Sequence, residues 1–411
     1  MTNPWDTKAI TRCAQTVALS WGRQRLGRII SRGPTNIPRM VRVLPPGKSR
    51  GFVLLSYLRE CVGFAQDDPR LLDRHPNVWD SWAYADQIAH LGWTVDVIDW
   101  DDWTFVPMNR YDAVVSLDGN GLHLAEMSCS ANCRLILHLT TADPTFNNAA
   151  EAQRLAALLE RRGARLRPRR QLAHISDTHE AMSAAHSCLL IGNSWTLSTY
   201  PTSQRSKISM TNVVTSTRAM PTEAQISNKP FGNEYLWFFG GGAVHKGLDL
   251  TLEAFSAQPQ LKLHVVGNLE NELDFLKEYR RELFRTSNIK YHGFLPPDSP
   301  ALQRILNTST YSIAPSCSES MSTAVAFTTA NGLVPIHTPE VGMDFDNLPH
   351  FEILSPTVEA LGTSIEQSAA VNLGARGQNA LTISTHSHSA FSRGAYQKRL
   401  KSFLEVALRD L

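Results

Sequence analysis

The chain has 411 residues, 42% hydrophobic and 19% charged, enough apolar content for two or three buried cores and too much for a disordered chain. No run approaches the ~20 consecutive apolar residues that span a bilayer, so a helical membrane protein is not expected. The net charge of +2 hides an asymmetry: residues 1–50 hold ten basic side chains against one acid, Asp6, a local charge of +9. Six scattered cysteines with no secretory segment ahead of them read as reduced thiols of a cytoplasmic protein.

In chain order, residues 1–44 read as a basic extension. Ile10, Cys13, Ala14, Val17 and Trp21 share one side of a possible helix, which Gly22 and Gly27 weaken. Arginine without acid fits a transit segment, an anionic membrane surface (a peripheral protein on the inner membrane face) or a solvated arm, and nothing here separates them. Pro45-Pro46-Gly47 marks the boundary. Strands are then predicted at 51–58, 94–100, 112–117, 134–139 and 187–191, and helices at 78–91, 148–162 and 193–200. Residues 217–233 are polar and turn-rich, a credible linker.

The alternation restarts with strands at 235–239, 262–266, 289–292, 311–314 and 334–337, and helices at 248–257, 269–283, 300–306 and 323–331. From about residue 390, Tyr396, Leu400, Phe403, Leu404 and Leu408 fall at helical spacing. Strands separated by helices imply parallel pairing in doubly wound sheets. The expected organisation is an extension at 1–44, a Rossmann-like domain at 45–220, a second at 221–388 and a C-terminal amphipathic helix at 389–411. Two such units hold a ligand most naturally in the cleft between them, at the carboxyl ends of their strands.

Several motifs fail on context. Gly47-Lys48-Ser49 precedes a strand where a phosphate loop follows one, and Arg42 stands in place of its first glycine. Thr196 replaces the second glycine of a nucleophile elbow after Gly192-Asn193-Ser194. His179-Glu180 meets Ser183 where a zinc protease helix needs histidine. Cys129, Cys133 and His138 lack a fourth zinc ligand at motif spacing. Asp99, Asp101 and Asp102 at a strand end fit either solvation or a cation carried by a nucleotide, with no dinucleotide glycine fingerprint to support the second. No feature suggests nucleic acid.

The informative segment begins at Gly240-Gly241-Gly242, where a buried strand runs into a turn and Lys246-Gly247 opens a helix. Glycines admit close approach to a ligand, the helix start offers free N–H groups, and lysine adds a mobile charge. Alone, this is equally a plain strand–helix turn. Its partner lies about 70 residues on: Ala314-Pro315-Ser316-Cys317-Ser318-Glu319-Ser320-Met321-Ser322-Thr323, then Ala330-Asn331-Gly332. One carboxylate followed by a hydroxyl-rich helix start suits a sugar held by Glu319 and a diphosphate held by amides near Met321 to Thr323.

Here the chain resembles the GT-B glycosyltransferases of glycosyltransferase family 4. FGGGAVHKGLDLTLEAF, LKLHVVGN, IKYHGFLP and YSIAPSCSES…TTANGLVPIHTPEVG follow that family's order over about residues 235–345. In the first half, NVWDSWAYADQIAHLGWTVDVIDWDD is a weaker match. The resemblance implies an α/β GT-B fold, two Rossmann-like domains facing each other across a cleft. It also implies a retaining glycosyltransferase that takes a nucleotide sugar, needs no metal or other cofactor, and acts on a carbohydrate or lipid-linked acceptor, as in polysaccharide biosynthesis.

By the same resemblance the catalytic residues are Lys246, Glu319 and His138. The donor is held by Gly240, Gly241, Gly242, Gly293, Ser318, Met321, Ser322, Thr323 and Phe327, and the acceptor by Thr141, Asp143 and Asn147, with Glu151 beside them. His138 is equally readable as a core histidine. Two departures stand out. Gly241 occupies the place of the family's phosphate-binding arginine, and Phe327 that of its second, ribose-binding glutamate. Either the donor is held differently, or the chain is a degenerate relative that serves as a carbohydrate-recognition or partner subunit.

Overall fold

Each predicted apolar run of the first half becomes a strand. In the computed structural model, which describes residues 39–60, 62–72, 75–117, 119–215, 221–409 and 411, the first sheet has seven strands. They are β1 (Val41–Val43), β2 (Phe52–Tyr57), β3 (Thr94–Asp99), β4 (Tyr111–Ser116), β5 (Cys129–Leu139), β6 (Ser187–Ile191) and β7 (Ile208–Thr211), in the order β1-β3-β2-β4-β5-β6-β7. All pairs are parallel except β1 with β3. β1 falls inside the span assigned to the basic extension. Its Arg42 is held by Asp96 of β3 at 2.6 and 2.9 Å, and Asp96 also accepts from Tyr111 and Asn109. Residues 1–38 of the extension, with its possible helix, lie outside the described residues.

The second sheet is wholly parallel, in the order β10-β9-β8-β11-β12-β13. Its strands are β8 (Glu234–Phe239), β9 (Lys262–Gly267), β10 (Ile289–Tyr291), β11 (Tyr311–Ala314), β12 (Val334–His337) and β13 (Phe351–Glu352). Seven helices matter for the site: α1 (Pro76–His90), α2 (Pro144–Arg162), α3 (Leu248–Ser256), α4 (Pro300–Thr308), α5 (Thr323–Ala330), α6 (Leu373–Ala390) and α7 (Arg393–Ala407). α2 begins at Pro144 after the Asp143 cap, four residues earlier than its hydrophobic spacing suggests, and stops at Gly163 with φ 70°.

The two sheets belong to one compact unit, Val41–Leu411. The core under α3 takes in Leu158, Ile191 and Val213 from the first lobe, so the lobes share apolar contact. α7 returns to the first lobe, where Tyr396, Leu400, Phe403 and Leu404 join Trp79 and Trp82 of α1. The predicted helix at 269–283 is two helices, Leu273–Glu278 and Arg280–Arg285. Of the cysteines, Cys188 and Cys317 are free and buried, but Cys133 is disulfide-bonded, against the expectation of reduced thiols.

Candidate functional site

β8 and β11 are neighbours, and their carboxyl ends carry the two residues singled out from the sequence. Lys246 sits in the turn between β8 and α3, and Glu319 in the loop between β11 and α5. Lys246 Nζ donates to Glu319 Oε1, which Ser316 Oγ reaches at 3.2 Å. The lysine is 6% exposed, and burial lowers its pKa while Glu319 pulls it back up. The pair is therefore held where water is scarce and the charge of either partner acts over a short, weakly screened distance.

Around the pair the other expected donor residues divide. Ser318 is buried, its Oγ has no partner among the described residues and its carbonyl accepts from His245 Nε2 at 2.7 Å. Ser322 caps α5, and Thr323 begins it. Met321 is buried with its Sδ 3.2 Å from the Val213 amide. Gly293 turns the chain after β10 with φ 70°, and its carbonyl accepts from Gly267.

The glycine turn differs from its expected role as a phosphate cradle. Glu272, 5% exposed, already accepts from the amides of Gly242 at 2.6 Å and Ala243 at 2.9 Å, and burial raises its pKa. Gly240 has open space where a Cβ would stand, and Gly241 has nothing closer than 3.5 Å, so neither is required by contact. Gly242 is required: its φ is +83° and a Cβ there would fall 2.7 Å from Arg170 Cγ.

Three expectations are corrected. Phe327 faces away from the pair, 1% exposed among Leu236, Val266, Leu302, Ile305, Leu306 and Leu333, with its ring 5.2 Å from that of Phe238. An aromatic on the inner face of α5 fills a core, so it is not a donor contact. His138 is 1% exposed within the first lobe. Its Nε2 donates to Asp80 at 2.7 Å, and its Nδ1 lies 3.0 Å from Tyr84 OH and 3.2 Å from the Leu189 carbonyl, with Tyr57 and Tyr396 also donating to Asp80. Both ring nitrogens are used, which leaves none for a substrate.

The acceptor residues are likewise occupied internally. Asp143 caps α2 through the amides of Thr145 and Phe146 and binds His179 at 2.9 Å. Asn147 donates to the Arg170 carbonyl at 2.8 Å. The Thr141 carbonyl accepts from Tyr200, and the side chain of Thr141 is half-buried. Asp99 is paired with Arg59 at 2.9 Å. Among the described residues no group of three or more His, Cys, Asp or Glu side chains is placed to hold a metal ion.

What the sequence reading left unassigned is the arginine run at 161–170, and it faces the second lobe. Arg154 Nη1 donates to the Pro315 carbonyl at 3.0 Å, Arg161 binds Asp249 and Glu253, Arg162 binds Glu278 and Glu282, and Arg169 binds Asp274. Thr196 Oγ1 donates to the Ser320 carbonyl, and Ser320 Oγ to that of Thr140 at 2.8 Å. A cavity lined by Glu151, Arg169, Gly242, His245 and Glu272 has room for about 10 Å³, one water. This part of the interlobe contact is closed. A roomier cavity of about 260 Å³ lies against α4 and is lined by His264, Lys290, His292 and Arg304.

Two lobes with parallel sheets, joined through a site at the strand ends, match solved structures over most of their length. The structure of Anabaena Alr3699/HepE in complex with UDP and glucose is similar with TM-score 0.55 at 12% identity, covering 88% of this chain and 100% of that one. Sucrose-phosphate synthase from Thermosynechococcus elongatus gives 0.59 at 12% identity, covering 87% and 99%. The fold is GT-B. A UDP-forming trehalose-phosphate synthase from Burkholderia xenovorans gives 0.51 at 10% identity, covering 82% and 80%. Residues 220–350, which include β8 to β12, α3 and α5, match the family model for glycosyl transferases group 1. No curated protein matches the chain by sequence. The GT-B frame places Lys246 and Glu319 in the lobe that the family model covers.

Proposed function

We propose that the protein is a glycosyltransferase that moves a sugar from a nucleotide-sugar donor, with retention of configuration, to a carbohydrate or lipid-linked acceptor. The observation that carries this reading is the Lys246–Glu319 pair at the carboxyl ends of adjacent strands inside the segment matching the glycosyl transferase model. The ligands of a similar GT-B structure, UDP and glucose, support the donor class.

As the bond between the anomeric carbon and the diphosphate oxygen breaks, charge builds on the leaving diphosphate. Lys246 is placed to neutralise it in a site where water is scarce, so its effect is larger than in bulk solvent. Glu319, relieved of Lys246, accepts from hydroxyls of the donor sugar and fixes its orientation. At the start of α5 the Ser322 and Val325 amides are already bonded, to the Val341 carbonyl and the Ser322 hydroxyl, so the further donor is the buried Ser318 hydroxyl, which has no partner among the described residues. The phosphate charge is met by side chains, and the reading needs no metal. The basic stretch at residues 1–50 suits attachment to an anionic membrane surface, which sedimentation with anionic and neutral vesicles, with and without residues 1–43, would test.

The reading is tested by incubating the protein with UDP-, GDP- and ADP-sugars and following release of the nucleoside diphosphate. Release from at least one donor, abolished by Lys246→Ala, is the expected result. Binding of a sugar without any release would favour the recognition-subunit reading instead.

A further inference from the structure

A cation beside Lys246 comes from the opposite lobe. The backbone of 169–172 is fastened to α2: buried Glu151 accepts from the amides of Arg169 at 2.8 Å and Arg170 at 2.9 Å and from the Gln171 side chain at 2.9 Å. Asn147 donates to the Arg170 carbonyl, and Asn148 accepts from the Leu172 amide at 2.7 Å. Arg169 spends its side chain on Asp274. The Arg170 guanidinium, by contrast, has no hydrogen-bond or ion-pair partner among the described residues, although its stem lies across the glycine turn. A Cβ at Gly242 would meet Arg170 Cγ at 2.7 Å and Cδ at 3.0 Å. A rigid platform therefore presents one unpaired guanidinium to the turn that carries Lys246.

We propose that Arg170 is a donor-phosphate ligand supplied from the first lobe, in place of the arginine that Gly241 replaces, so that a nucleoside diphosphate is held between Lys246 and Arg170. The inference rests on the donor reading above and adds to it a residue from outside the segment that the family model matches. Three observations converge on it. Glu272 occupies the amides of Gly242 and Ala243, so the phosphates must be met mainly by side chains. The glycine at 242 makes way for the arginine stem. Burial is the main cause that lowers the pKa of both Lys246 and His245, and the nearby positive charge of Arg170 lowers them further, a like-charge arrangement that an anion between Lys246 and Arg170 relieves. A guanidinium is suited to the task, because its planar fork meets two phosphate oxygens at once. With one cation from each lobe, the diphosphate also fastens the lobes together.

The test is calorimetric titration of the full chain with UDP, GDP and ADP and with uridine, guanosine and adenosine. Wild type, Arg170→Ala, Arg170→Lys and Arg165→Ala are compared; Arg165 is exposed on the same loop. Loss of a charge-assisted contact weakens the diphosphate by about ten- to hundredfold in Arg170→Ala. Nucleoside affinity stays unchanged, Arg170→Lys recovers part of the loss, and Arg165→Ala binds like wild type. Equal diphosphate affinity in wild type and Arg170→Ala overturns the inference, as does an equal loss in Arg165→Ala or a parallel loss for the nucleoside. Failure of wild type to bind any diphosphate overturns the donor reading itself, which is a separate outcome.

Discussion

Lys246 and Glu319, 73 residues apart in sequence, meet as an ion pair with side-chain exposures of 7% and 15%. Such a pair adds little net stability, because desolvation offsets the attraction, but removing one partner strands the other. Glu319→Leu alone and Lys246→Met alone should each cost about 2–4 kcal/mol in urea unfolding, discounted for the partial exposure of Glu319. The double variant should recover most of that loss and still fail to bind a nucleotide. Additive losses in the double variant would show that the two side chains are not coupled.

Phe327 tests the corrected reading of α5. Burying a carboxylate among Leu302, Ile305 and Leu306 leaves it without a partner, so Phe327→Glu should destabilise the fold by at least ~3 kcal/mol and create no ribose contact. Phe327→Leu should cost about 1 kcal/mol. A well-folded Phe327→Glu protein that prefers ribonucleotide over its 2′-deoxy analogue would restore the donor role.

His138 offers a parallel test in the first lobe. His138→Ala should cost about 1–3 kcal/mol, because Asp80 loses a donor while Tyr57 and Tyr396 remain. Thermal melting and turnover of the folded fraction separate the roles: lower stability with kcat within a few-fold of wild type is the expected result. A loss of kcat at unchanged stability would return His138 to the chemistry.

Lys229 carries a pH dependence. It is 9% exposed, donates to the Asn331 carbonyl at 3.1 Å, and burial lowers its pKa to about 7. Between about pH 7 and the unfolded value near 10.4, the unfolded chain holds a proton that the native protein has released, so stability rises with pH. Relative to Lys229→Met, wild type should gain up to ~1.4 kcal/mol per pH unit across that window. Parallel slopes for the two proteins in urea unfolding at pH 7.5 and 9 would contradict this.

The sequence showed most of the fold, because fully buried parallel strands are continuous apolar runs bounded by turns. β6, β11 and β12 match to the residue. β1 was missed because a three-residue edge strand beside arginines carries no period, and α6 because its histidines, serines and threonines blur its apolar face. The Lys246–Glu319 pairing was legible from motif order. The burial of His138 and Phe327 was not, since a histidine at a strand end and an aromatic on a helix fit core and cleft equally. The roles of Glu272 and Arg170 depend on contacts over 30 residues and across the lobes, which no local pattern records.

The most direct test is a crystal structure with a bound nucleoside diphosphate, or with its sugar if one is hydrolysed slowly. The account predicts the diphosphate within about 3 Å of Lys246 Nζ, with the Lys246–Glu319 bond opened and the Arg170 guanidinium on the same phosphates. Nucleotide density elsewhere, for example in the cavity lined by His264, Lys290 and Arg304, with the Lys246–Glu319 pair intact, would contradict it.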